Sequence, residues 1–116
     1  MHLATLMPDG SPHSIPVWGI VEDGRIGFFT VNPKSRKALN VVRDPRVALS
    51  VVDESNPYRS AHVRGRVVEV AEGDDAQAAI DRMSERYVGS PFPVRGGFVY
   101  WIEPETTHVV ELPFRH

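Results

Sequence analysis

The stretch from Pro33 to Asn40, PKSRKALN, contains both lysines of a chain whose other 11 basic residues are arginines. Three cations, Lys34, Arg36 and Lys37, fall within four residues, shortly after a strand-like Phe28-Phe29-Thr30. Ala38, Leu39, Val41 and Val42 then recur at helical spacing, so Ser35–Arg43 is predicted to be a short helix with Ser35 as its N-cap. A helix N-terminus carries unpaired N–H groups and a partial positive charge, which together suit a phosphate. Cations at that end oppose the dipole by about 0.3–1 kcal/mol each, and a bound anion reverses the sign. Lys37 and Asn40, three apart, share one helical face. The residues alone leave two readings open, a solvated basic turn and an anion site.

Other candidates are weaker. Trp18, after Pro16 and Val17, could pack in a core or offer a flat apolar surface to an aromatic ligand. Arg59 is either a surface residue or a second anion contact. The five histidines, at 2, 13, 62, 108 and 116, show no pair at metal-ligand spacing, and no metal site is expected. The absence of cysteine excludes disulfides, thiol catalysis and thiolate zinc sites. No nucleophile elbow supports a catalytic triad, so no catalytic residue is named. Asp81, Arg82, Glu85 and Arg86 read as the solvated face of a helix.

The elements that must position these groups are mostly strands. Leu3–Met7, His13–Glu22 and Arg25–Val31 are expected to form a three-strand meander, with turns at Pro8-Asp9-Gly10 and Asp23-Gly24. Asp44-Pro45 should end the first helix, because a residue before proline disfavours the helical region. Arg46–Val52 and Tyr58–Val70 follow as strands. In the second, alternation slips around Gly65, which predicts a bulge or bend. Asp74–Gly89 is the best helix, with capping-box spacing at Asp74 and Gln77. Ala76, Ile80, Met83 and Tyr87 form its apolar stripe, and Gly89 suits its stop. Phe98–Ile102 and His108–Leu112 give the last strands, broken at Glu103-Pro104. About six hairpin-connected strands with two short helices predict a mainly β, closed antiparallel barrel filled by side chains. A ligand would then lie on its rim or between subunits.

A chain of 116 residues is expected to be one domain, with no segment long and apolar enough to span a membrane and no signal peptide. The formal charge is −2 and no long basic run exists, so nucleic-acid or membrane binding through bulk charge is not expected. A cytoplasmic location fits these features.

The order of motifs carries more than any one of them. PDGSPHSIPVW, then DG, FFT, SRKALNVVRDPRVALSV and YRSAHVRGRVVEV resembles the pyridoxamine 5′-phosphate oxidase-like superfamily of flavin-binding proteins. Within it, the chain looks most like the actinobacterial branch of deazaflavin (coenzyme F420)-dependent reductases. The match is good over residues 3 to 72 and looser beyond. The resemblance implies a six-stranded Greek-key split barrel of the FMN-binding type. It also implies a homodimer with two cofactors in clefts at the subunit interface.

Carried onto matching positions, the resemblance gives Arg36 and Lys37 the cofactor phosphate, with Ser35 and Asn40 assisting. Phe29 and Thr30 fall where strand-end residues contact the ring or its side chain. His13 to Trp18 lie on the strand along the ring, with Ile15, Pro16 and Val17 as backbone contacts. Arg59 and Ser60 fall near contacts from the long strand. Trp18 occupies the position where flavin-using oxidases carry a lysine, which favours the deazaflavin branch. The C-terminal stretch HVVELPFRH lacks the Trp/Arg motif that grips pyridoxal phosphate in the oxidases. The usual helix before the first strand is also missing, so the cleft is expected to lack one wall or the start to be shortened. The implied activity is hydride transfer from reduced F420 to an unsaturated small organic substrate. The alternatives are an FMN-dependent oxidoreductase and a non-catalytic flavin or deazaflavin binder.

Overall fold

A computed structural model of the protein describes residues 1–113. Residues 114–116, which include His116 and the end of HVVELPFRH, lie outside the described residues. The elements run β1 (His2–Leu6), β2 (Pro12–Pro16), β3 (Gly19–Glu22), β4 (Arg25–Thr30), α1 (Arg36–Arg43), β5 (Arg46–Asp53), β6 (Asn56–Ala71), α2 (Gly73–Val88) and β7 (Phe98–Glu111). One antiparallel sheet takes the order β2-β1-β5-β6-β7-β4-β3. It curls round a core of Leu3, Ile26, Phe28, Val47, Leu49, Tyr100 and Ile102. Its two edge strands, β2 and β3, are not hydrogen-bonded to each other. The barrel is therefore split and not closed.

The structure differs here from the meander expected over residues 3–31. His13–Glu22 is not one strand. It breaks after Pro16, and its halves go to opposite edges: β2 pairs with β1, and β3 with β4. Pro16 has no N–H to continue a ladder. Val17 instead donates its N–H to the Met1 carbonyl at 2.8 Å. With this break and a last strand that runs unbroken, the sheet has seven strands where about six were expected. The Asp23-Gly24 turn has positive φ at both residues, 53° and 75°, as a type I′ hairpin requires.

The second difference concerns Pro104. β7 runs unbroken from Phe98 to Glu111, because Pro104 lies opposite Gly65, where the ladder shifts register and a missing N–H is tolerated. Gly65 is the bend expected from sequence. A Cβ there would lie 2.3 Å from the Glu103 carbonyl oxygen. Because β6 and β7 bend there, the ribbon serves two regions. Phe98–Ile102 pairs with β4, while the stretch Arg59–Arg64 pairs with β5 on one side and Thr106–Glu111 on the other.

The helices cover what the sheet leaves open. α1 inserts Ala38 and Val41 into the barrel core. Asn40, fully buried, ties it to β1 by donating to Thr5 Oγ1 at 2.9 Å. α2 lays Ala76, Ala79, Ile80 and Met83 over Val99 and Trp101 on the outer face of β7. Burying residues such as Ile80 and Met83 is worth roughly 1.5–3 kcal/mol each. The capping box expected at Asp74 and Gln77 does not form. The helix begins at Gly73 without a side-chain cap. Gln77 instead reaches the loop after α2, accepting from Gly96 N–H at 3.2 Å. Gly89 ends the helix with φ 80° and a hydrogen bond to the Glu85 carbonyl, as its type and place predict.

Two substitutions test these ties by thermal and urea unfolding. Gly65→Ala must push the Glu103 carbonyl away and is expected to cost about 1–3 kcal/mol. Asn40→Ala leaves a cavity and a buried, unpaired Thr5 hydroxyl, for a loss of about 1–3 kcal/mol. Wild-type stability in either variant contradicts the role given to that residue.

Candidate cofactor-binding site

α1 follows directly on a tight turn built by Thr30 and Asn32. Thr30 Oγ1 accepts the Asn32 N–H at 3.1 Å and donates to the Asn32 carbonyl at 3.0 Å. Asn32 Oδ1 accepts the Lys34 N–H, and the Asn32 carbonyl accepts the Ser35 N–H. Ser35 is the N-cap residue, in an extended conformation, but its hydroxyl does not cap the helix. It lies 3.3 Å from Thr30 Oγ1 instead. No acidic residue occupies the first turn of α1. The helix start therefore presents its N–H groups with no side-chain acceptor, beside Lys34, Arg36 and Lys37.

The other cations show how unusual this is. Arg25, Arg46, Arg59, Arg66, Arg82 and Arg95 each pair with a carboxylate. Arg43 donates to the Leu6 carbonyl and to Asn40 Oδ1. Among the described residues, the cations without an ion pair or hydrogen bond are Lys34, Arg36, Lys37, Arg64 and Arg86. Three of these five crowd one helix turn. Arg36 is exposed, whereas Lys37 is half-buried and desolvation lowers the pKa of its ammonium. A half-buried ammonium without a partner, next to helix N–H groups with no side-chain acceptor, is an arrangement suited to an anion such as phosphate.

Phe29, next to Thr30 in β4, belongs to an aromatic cluster packed with the α2 core. Trp18 stacks on Tyr87 with ring centroids 5.0 Å apart and planes 2° from parallel. Phe92 meets the edges or faces of both Trp18 and Phe29, at 6.1 and 5.1 Å. Trp18 and Phe29 are themselves 6.1 Å apart. The Tyr87 hydroxyl accepts the Gly19 N–H at 3.3 Å, which fixes the β2–β3 break against α2.

The structure groups Thr30, Ser35, Arg36 and Lys37 at the basic turn, and Trp18 and Phe29 in the aromatic cluster. Ile15, Pro16 and Val17 lead up to Trp18 from β2. Val17 is half-buried against the barrel core and Pro16 is exposed. Asn40 lies beneath the basic turn, and its buried side chain holds the helix in place. Arg59 and Ser60 lie elsewhere. They sit near the start of β6, where Arg59 pairs with Asp53 at 3.6 Å and Ser60 Oγ lies 2.9 Å from His62 Nε2. They line a cavity of about 200 Å³ with Val51, Val52 and Val109. Within one chain, they do not meet the basic turn.

Sequence reasoning missed three contributors. Tyr87 was assigned to the stripe of α2 but is partly exposed and braces Trp18. Phe92 sits between two prolines, an aromatic in a turn-forming segment, and that was its only signal. Asp81 was read as part of a solvated face. It accepts the Phe92 N–H at 3.1 Å and pairs with Arg95 at 2.8 Å, so it fixes the loop that carries Phe92. Arg82 is likewise engaged, with both carboxylate oxygens of Glu22.

The model of the pyridoxamine 5′-phosphate oxidase family matches residues 1–112. A search of the curated proteins finds no match. Among solved structures, one described as an F420 reductase is 31% identical, with a TM-score of 0.80 over 92% of this chain and 86% of that one. A conserved hypothetical protein from Mycobacterium tuberculosis is 29% identical, with a TM-score of 0.81 over 99% and 81%. A pyridoxamine 5′-phosphate oxidase-related, FMN-binding protein from Nostoc punctiforme, 18% identical, has a TM-score of 0.69 over 95% and 73%. That last likeness is one of fold. Motif order, split barrel and family model agree: the chain belongs to the pyridoxamine 5′-phosphate oxidase family.

Proposed function

We propose that the protein binds coenzyme F420 and uses it to reduce an unsaturated small organic molecule. The observation that carries this reading is the cluster of Lys34, Arg36 and Lys37 at the start of α1, none of them paired with a carboxylate, in a chain similar to an F420 reductase. Reduced F420 supplies a hydride when bound; the protein has to hold, orient and shield it. Arg36 and Lys37 grip the phosphate together with the free N–H groups of α1, and the Ser35 hydroxyl is within reach. Thr30 sets the turn that aims them. The backbone from Ile15 to Val17 and the aromatic wall of Trp18 and Phe29 line the ring and exclude water.

Within a single chain, Arg59 and Ser60 stand apart from the basic turn. A homodimer with the cofactor at its interface accounts for this. Exposed apolar residues on β5 and at the end of β7 fit such an interface: Val51, Val52, Val109, Val110 and the adjoining Leu112 are each more than a third accessible. A second copy then brings its own Arg59 and Ser60 to the cleft.

Side-by-side titration of the purified protein with F420 and FMN is expected to give at least about tenfold tighter binding of F420, a difference of about 1.4 kcal/mol. Tighter binding of FMN assigns the protein to the flavin-using alternative. Tight F420 binding without reduction of any acceptor leaves a non-catalytic carrier.

Arg36→Ala with Lys37→Ala is expected to weaken F420 binding by about 100-fold or more, since each charge-assisted hydrogen bond contributes roughly 1.5–3 kcal/mol. The same variant should melt no lower than wild type, because both cations oppose the helix dipole. Unchanged affinity by fluorescence titration removes the phosphate assignment.

A further inference from the structure

The inward face of the sheet is not filled along its whole length. Val47 and Leu49 of β5 are buried in the barrel core. The next residue on that face, Val51, is 45% exposed, although the register sets it against Ala61 of β6. β3 behaves alike: Val21 lies directly opposite the core residue Ile26, yet it is 68% exposed. Directly opposed residues of an antiparallel sheet point to the same face. Both valines therefore face the barrel interior. Both border a cavity of about 290 Å³ between β3 and β5–β6, which Leu49, Ala61 and Val63 also line. Met1 and Gly19 belong to its wall, and a Cβ at Gly19 would overlap the Met1 methyl.

The end of α2 completes the lining with Arg86 and Tyr87. Ser50 stands between Leu49 and Val51, so its side chain alternates to the other face of the strand. None of the described residues that line the cavity is acidic. Arg86 is exposed and makes neither an ion pair nor a hydrogen bond. It sits in the last turn of α2, where the helix dipole favours a cation, so the fold keeps it there without a carboxylate.

We propose that this cavity binds a small apolar molecule carrying one carboxylate, its body against the inward valines and its carboxylate on the Arg86 guanidinium. Val21 and Val51 are core positions left wet, and an apolar body removes that surface from water. A guanidinium offers two parallel N–H donors that match the two oxygens of a carboxylate. One arginine with no further donors around it suits that group better than a phosphate, whose extra oxygens and charge would stay unmatched. A cation finds no acidic partner here, and an uncharged molecule leaves Arg86 unused. The volume is near the lower end for ligand cavities, on the order of 300 Å³, which suits a medium-chain or single-ring acid. No residue of the basic turn lines the cavity, and the proposal does not depend on a cofactor.

Calorimetric titration of the full chain with octanoate and with 1-octanol, at about pH 7.5 where a carboxylic acid is ionised, reads this directly. Octanoate should bind saturably, one per chain, at least about tenfold tighter than the alcohol, as a charge-assisted pair requires. Arg86→Gln should erase that preference and leave the affinity for 1-octanol unchanged. Ala61→Phe fills the cavity and should abolish binding of both without lowering the melting temperature. Val21→Glu, at an exposed position, covers the case in which that variant does not fold. It places a like charge in the cavity and should weaken octanoate far more than the alcohol. Absence of saturable octanoate binding, or equal affinity for the two probes, overturns the proposal. So does an undiminished preference in Arg86→Gln, or undiminished octanoate binding in Val21→Glu. No F420 is added, so failure here and failure of the cofactor reading show separately.

Discussion

The Glu103 carbonyl passes so close to Gly65 that no side chain fits between them, and the two longest strands bend at that contact. Most of the architecture depends on this. Straight strands of 16 and 14 residues would leave the barrel along a tangent. Bent at Gly65 and Pro104, β6 and β7 close round the core with one half and continue beyond it with the other. The core half backs α2 and pairs with β4, whose Thr30 ends at the basic turn. The other half carries Arg59, Ser60 and the exposed valines. Both the proposed cofactor region and the proposed contact face are thus set by one backbone approach.

The electrostatic pattern has a similar economy. Among the described residues six arginines are matched to carboxylates, so the unmatched cations stand out. At α1 the mismatch is compounded, because the helix dipole and the partial burial of Lys37 both disfavour positive charge. Protein stability gains nothing from that arrangement. An anion would turn each of these unfavourable terms into an attraction, and the separate cluster of Trp18, Phe29, Tyr87 and Phe92 offers an aromatic surface suited to a planar ring. Loop 90–97 belongs to that cluster, since Asp81 and Gln77 of α2 hold it by backbone and side-chain hydrogen bonds.

Several features were legible because their cause is local. The helix from Ser35 to Arg43, its stop at Asp44-Pro45, the type I′ turn at Asp23-Gly24, the end of α2 at Gly89 and the bend at Gly65 all follow from backbone restrictions of the residues in place. So does the basic turn, since a helix start and three cations are read from eight consecutive residues. The errors have a common origin in partners distant along the chain. His13–Glu22 reads as one strand, but its halves are claimed by β1 and β4 at opposite edges. Pro104 looks like a break, yet Gly65 opposite makes it harmless. Gln77 has the spacing to cap α2, but Gly96 N–H competes for it and wins.

The amino-acid order by itself determined the element types, the family likeness and the place of the clustered cations, because propensity, turn chemistry and helix dipoles act within a few residues. Only the tertiary structure decided which cations have partners, that Trp18 leans on Tyr87 and Phe92, and that Val21 and Val51 face one cavity. Those outcomes depend on sheet register and helix docking. Register joins residues as far apart as Ile26 and Ile102, and no local rule of the chain contains it.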